Sequence, residues 1–146
     1  MSVLVPDRAM EDRPLLVTAG VIIREGRVLL DRRVADSRFE PLKWEFPGGK
    51  VDFGESPQGS LMRELKEELG IRAEVGPFVH LASHVYSREG NERHVVILFF
   101  DCIILEGEPQ ALEGGEVGWF DVNAFSSLDL VEADVGLREV LIPRLS

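Results

Sequence analysis

Phe46-Pro47-Gly48-Gly49-Lys50-Val51-Asp52-Phe53-Gly54-Glu55 passes directly into a helix pattern, and this junction constrains the fold more than any other part of the chain. Its glycines permit positive φ and close approach of the backbone to a ligand or ion. Ser56 supplies an N-cap, Pro57 the first helical position, and Gly70 a C-cap, while Leu61, Leu65 and Leu69 recur at intervals of four. The spacing predicts a helix of roughly three to four turns. On it Glu64, Glu67 and Glu68 fall within an arc of about 100°. Like charges at such spacings destabilise a bare helix by about 0.2–0.5 kcal/mol per pair, and Arg63 and Lys66 relieve only part of that. A hard divalent cation, Mg2+ with Mn2+ as a substitute, reverses the sign, because it takes carboxylate, water and phosphate oxygens. Taken alone, the run Arg63 to Glu68 also fits a solvated helix face. The loop in front of it favours an ion site.

Around this unit the pattern is mostly strand. Leu15 to Ile23 and Arg27 to Asp31 are β-rich runs separated by Arg24-Glu25-Gly26, which predicts a hairpin. From Arg32 to Gly54 prolines and glycines predict loop, with a short strand around Trp44 to Phe46. Ile71 to Val75, Phe78 to Tyr86, His94 to Leu105 and Glu116 to Asp121 read as strands, with a hairpin turn at Glu89-Gly90-Asn91. Glu132 to Leu141 reads as a second helix stopped by Pro143. Strands before, between and after two helices predict an α/β fold, a mixed β-sheet sandwiched between α-helices. The length of 146 residues fits one domain, residues 1–146, with 1–14 as a lead-in that lacks the apolar core of a secretory signal.

The loop and acidic helix resemble the signature of the Nudix hydrolases: a glycine, five residues, a glutamate, seven residues, then Arg-Glu-apolar-any-Glu-Glu-any-Gly-apolar. Gly49, Glu55, Arg63, Glu64, Leu65, Glu67, Glu68, Gly70 and Ile71 fill every fixed position. The resemblance implies the Nudix fold, an α/β/α sandwich, and Mg2+-dependent cleavage of a diphosphate linked to another moiety. It implies Glu64, Glu67 and Glu68 as metal ligands with the Gly49 carbonyl as a further one, Arg63 as the residue that orients a glutamate, and Glu55 as a loop stabiliser or outer metal contact. Metal ions of this kind neutralise phosphate oxygens and lower the pKa of an attacking water, so no nucleophilic side chain is needed.

Three further places resemble the MutT-like branch, which hydrolyses nucleoside triphosphates to monophosphate and pyrophosphate. Asp31-Arg32-Arg33 ahead of Trp44-Glu45-Phe46 is similar to its strand-end arginines, implying Arg33, with Arg32 as the alternate, on substrate phosphate. The segment around Glu113-Gly114 is similar to its late loop, implying Glu113, with Glu116 as competitor, in the metal site; the general base is Glu64 or Glu113. Asp134 stands where the branch places a base-recognising Asn; an ionised Asp only accepts hydrogen bonds, so selectivity for an oxidised purine does not carry over. A plain N-cap is the other reading of Asp134. Phe46, Trp119 and Phe120 are either base-stacking residues or core. His80, His84 and His94 are read as structural or surface residues rather than metal ligands.

Twenty-six acidic against sixteen basic residues give a net charge of −10, which disfavours nucleic acid and anionic membranes as partners and leaves a small nucleotide. No apolar run is long enough to span a bilayer. The single cysteine, Cys102, excludes an internal disulfide and points to a reducing, cytoplasmic setting. Monomer and homodimer are equally compatible with the sequence. A pyrophosphatase of nucleoside diphosphate sugars or ADP-ribose, and a nucleotide-binding module without turnover, are the competing functions.

Overall fold

The computed structural model describes residues 13–145, so all but the last two residues of the lead-in lie outside the described part. The strands are β1 (Leu15–Val21), β2 (Ile23–Arg24), β3 (Arg27–Arg32), β4 (Trp44–Glu45), β5 (Gly48–Lys50), β6 (Arg72–Arg88), β7 (Asn91–Glu106) and β8 (Glu116–Phe120). The helices are α1 (Pro57–Leu69), α2 (Val122–Ser126) and α3 (Leu137–Leu141), with single 3-10 turns at Glu132–Asp134 and Ile142–Arg144. None is long and apolar enough to cross a membrane.

One sheet has the order β5-β1-β7-β6 and is mixed, β1 running parallel to β7 and antiparallel to β5. Apolar residues occupy successive positions of β7, which is what a strand covered on both faces requires. Val95, Ile97 and Phe99 enter one core with Phe46, Phe125, Leu137 and Leu141. Phe100 and Cys102 enter a second core with Leu61, Leu65 and Leu69 of α1. The leucines at four-residue spacing are thus the buried stripe of the helix, and the glutamates flank it.

The second sheet, antiparallel, joins β3 to β2, β4 and β8. It corrects the expected opening hairpin. Both edges of β1 are taken by β5 and β7, so β3 cannot pair with it; the chain bends at the buried Ile22, and only β2 turns back onto β3 through Glu25 and Gly26, both at positive φ. β5 is an element the loop reading missed. The expected last helix is also interrupted: Asp134 N–H bonds the Val131 carbonyl in a 3-10 turn, and regular helix resumes only after Gly136. Asp121, expected to end β8, instead caps α2 through a 2.9 Å bond from Ala124 N–H.

Candidate active site

α1 starts and stops where its caps predict. Gly59 N–H donates to Ser56 Oγ at 3.0 Å, and Gly70, at φ 71°, donates to the Lys66 carbonyl at 3.0 Å. The loop before it is docked on the helix through the Lys50 carbonyl, which accepts from Ser60 Oγ at 3.0 Å and Arg63 Nη2 at 3.2 Å.

Arg63 gathers the acidic side chains. Its Nε and Nη2 each lie 2.8 Å from an oxygen of Glu55, and its Nη1 lies 3.0 Å from Glu64 Oε1 and 3.1 Å from Glu67 Oε2. This fork, aided by Asp52 N–H at 2.9 Å, holds the Glu55 carboxyl down at about 2. Glu55 therefore braces the loop and the arginine, and the arginine orients Glu64 and Glu67.

Glu68 lies deeper. Burial, and then a hydrogen bond with Asp31 at the end of β3, push its carboxyl up to about 12, with Glu45 and Glu113 adding negative charge. Asp31 and Glu45 sit opposite one another in β3 and β4. Burial first, and then Asp31, raise Glu45 to about 7, and burial raises Asp31. Burial likewise raises Glu64. One oxygen of Asp31 is buried without a partner. The late-loop residue Glu113 acts electrostatically on Glu64, Glu68 and Asp31, whereas its competitor Glu116 is paired with Arg32 Nη1 at 3.0 Å.

This donor set suits a hard divalent cation: oxygens only, several carboxylates, and excess negative charge that an ion would offset. A Cβ on Gly49 would lie 2.4 Å from Cδ of Glu64, so only glycine lets that carboxylate rest against the loop backbone. As arranged, no three Asp, Glu, His or Cys side chains among the described residues surround one ion position. The Arg63 guanidinium pairs with Glu64 and Glu67, and burial raises the carboxyls of Asp31 and Glu68.

Beside β5 a cavity of about 240 Å³ opens, its walls including Gly48, Gly49, Lys50, Phe46, Arg33, Tyr86 and Asp134. Arg33 reaches Glu45 at 3.2 Å and the Phe39 carbonyl at 2.9 Å, while Arg32 is committed to Leu42 and Glu116 in the second sheet. Asp134 is 3% exposed, and its Oδ2 accepts from Phe46 N–H at 3.0 Å, so it is not the N-cap of a helix. Phe46 lies edge-on to Phe99 and Phe125 in the core while lining the cavity. The other two aromatics are engaged elsewhere, Trp119 under Arg24 at 4.3 Å and Phe120 against Trp44 at 4.8 Å. His94 bonds Ser83 at 2.8 Å, His84 packs on Tyr86, and His80 lies against Phe99.

Sequence reasoning gave no role to Asp31, Glu45 or Tyr86. The signal for the first two was an acid closing the apolar run Val28-Leu29-Leu30 and an acid between two aromatics, both in strands.

Residues 14–141 match the NUDIX domain. The chain belongs to that family. Within the Nudix hydrolases it is a MutT-like pyrophosphohydrolase, similar to the CTP pyrophosphohydrolase of Escherichia coli (strain K12), at 39% identity over 86% of this chain and 90% of that protein. It is 38% identical to the 8-oxo-dGTP diphosphatase of Haemophilus influenzae, over 91% of this chain and 95% of the relative. Its fold superposes on the MutT NUDIX hydrolase of Burkholderia pseudomallei with a TM-score of 0.72, at 29% identity and with 92% and 99% of the two chains covered. The α/β fold with its mixed sheet is therefore the Nudix fold.

Proposed function

We propose that this protein hydrolyses a nucleoside triphosphate to the monophosphate and pyrophosphate, the described chain acting as one catalytic domain. The observation that carries this is the position of β5: Gly49 lies against the Glu64 carboxylate and also lines the cavity, so the acidic helix face and a base-sized recess meet at this strand. A base in the recess would lay its phosphate chain over the glutamates.

In this reading Glu64, Glu67, Glu68 and the Gly49 carbonyl hold Mg2+, with Mn2+ as substitute. When bound, the ion neutralises phosphate oxygens and acidifies the attacking water. Arg63 keeps Glu64 and Glu67 aimed, Glu55 braces Arg63, and Arg33 meets phosphate at the cavity mouth. Glu64 or Glu113 takes the proton from water. Phe46 forms the cavity wall against the base, and Asp134 reads the base edge. The names of the relatives support the triphosphate class, with CTP and 8-oxo-dGTP as the first substrates to try.

The experiment is a panel of nucleoside triphosphates, oxidised triphosphates, ADP-ribose and nucleotide sugars with Mg2+, scored for products. Pyrophosphate released from a triphosphate, abolished by chelation and by Glu68→Gln, is the expected result. Turnover of ADP-ribose or nucleotide sugars alone would overturn the substrate class, and near-normal rates in Glu68→Gln would overturn the metal assignment.

A further inference from the structure

Tyr86, on β6, is a wall residue of the cavity to which the hydrolytic reading gives no role. Its hydroxyl oxygen accepts a hydrogen bond from Ala133 N–H at 3.2 Å. A phenol has one proton to donate as well as lone pairs, and among the described residues that proton has no acceptor. The ring is fixed: His84 packs against it with centroids 4.5 Å apart and an interplanar angle of 72°, and Phe39 lies 5.8 Å away. Burial, reinforced by the nearby carboxyls of Glu40, Asp134 and Glu45, holds the phenol above its usual 10.0, so it stays protonated at neutral pH.

The neighbours make this proton distinctive. Ala133 precedes Asp134, and the turn they belong to is pinned a second time by the Glu40 carboxylate, whose oxygens lie 3.0 and 3.1 Å from Glu132 N–H. Glu40, Glu45 and Asp134 supply carboxyls to the cavity wall, and Arg33 is already engaged with Glu45 and the Phe39 carbonyl. Tyr86 thus offers a neutral, rigidly placed donor beside three carboxyl groups. A base edge, which alternates acceptors with N–H or amino donors, is the complement of such a wall.

Resting on the reading that a nucleotide base enters this cavity, we propose that Tyr86 is a specificity-determining residue whose phenolic O–H donates to an acceptor atom on the base, beside the carboxyl of Asp134. The donor is set in advance by its ring contacts and by Ala133, so little ordering accompanies binding.

The test is titration calorimetry of wild type and Tyr86→Phe with the 5′-monophosphates of cytidine, guanosine, 8-oxoguanosine and adenosine, and with ribose 5-phosphate, which has no base. Wild type is expected to bind at least one nucleotide more tightly than ribose 5-phosphate, and Tyr86→Phe to weaken that nucleotide about 3- to 10-fold, the loss of one neutral hydrogen bond, with ribose 5-phosphate unchanged. A purely structural role through Ala133 would act by displacing Asp134 and would weaken all four nucleotides by the same factor, an outcome that also overturns the assignment. Equal weakening of nucleotide and ribose 5-phosphate, no change in either, or no wild-type preference for a base overturns the assignment. The comparison is a ratio within one variant, so it stays readable if the substitution lowers stability. Pyrophosphate release by wild type is scored separately, so a failed hydrolytic reading and a failed Tyr86 assignment give different results.

Discussion

Asp134→Asn should make the protein more stable at neutral pH, and the gain should depend on pH in a defined way. The Asp134 carboxyl is 3% exposed, and burial, with Glu45, Asp31 and Glu40 adding negative charge, raises it well above its usual 3.8; the bond from Phe46 N–H opposes this only in part. A folded-state value above the unfolded one means that the folded protein keeps a proton the unfolded chain releases. Stability from this residue is therefore complete below the unfolded value and falls as pH rises toward the folded one. At about 1.4 kcal/mol per unit, linkage caps the loss at about 4 kcal/mol at pH 7 and keeps it under about 1 kcal/mol at pH 4. Asparagine keeps an oxygen for Phe46 N–H and has nothing to ionise. Urea unfolding of both proteins at pH 4 and pH 7, followed by tryptophan fluorescence, should show the variant gaining on wild type between the two, by no more than about 4 kcal/mol. Other titrating groups are common to both proteins and cancel in the difference. A gap that is the same at both pH values, or that shrinks at pH 7, would mean that Asp134 is ionised in the fold and would refute the reasoning.

Gly49→Ala places a methyl 2.4 Å from Cδ of Glu64, so the carboxylate must move; Mn2+ affinity measured by titration should fall about 10- to 100-fold, with the thermal midpoint little changed. Arg63→Lys replaces a fork that holds Glu55, Glu64 and Glu67 together with a single ammonium. Its kcat should drop about 10- to 100-fold while circular dichroism stays that of wild type, and a kcat within twofold would show that the fork is dispensable. Leu65→Ala empties a fully buried site between α1 and the mixed sheet and should cost about 2–5 kcal/mol in urea unfolding; a cost below about 1 kcal/mol would place the helix outside the cooperative core.

What could be read from the sequence was whatever is written locally. Ser56, Pro57 and Gly70 bound α1 because caps act within a turn of their own position, and the leucine stripe marks the buried face by its period alone. The fixed positions of the Nudix box lie within one loop and one helix, so the family is legible too. What failed depended on distant partners. Leu15 to Ile23 looks like one strand, yet where it breaks is decided by β5 and β7 occupying the edges of β1. Glu132 to Leu141 has apolar spacing suited to a helix, but its first turn is held instead by Tyr86 and Glu40. Asp31, Glu45 and Glu68 are separated by whole elements, and nothing in their local sequence says that burial will bring them together. Arg33 and Arg32 differ only in which face of a strand end they leave from, and pairing of Arg32 with Glu116 across β3 and β8 separates them.

The connection from β7 to β8 is fastened to the end of α1: Gln110 N–H donates to the Leu69 carbonyl at 3.0 Å and Leu112 N–H to the Glu68 carbonyl at 3.1 Å. Those carbonyls would otherwise be loose ends of the helix. The strap leading to Glu113 and the final coil bearing Glu68 are therefore tied by two backbone bonds, and deuterium uptake at the amides of Gln110 and Leu112 would report whether that tie opens.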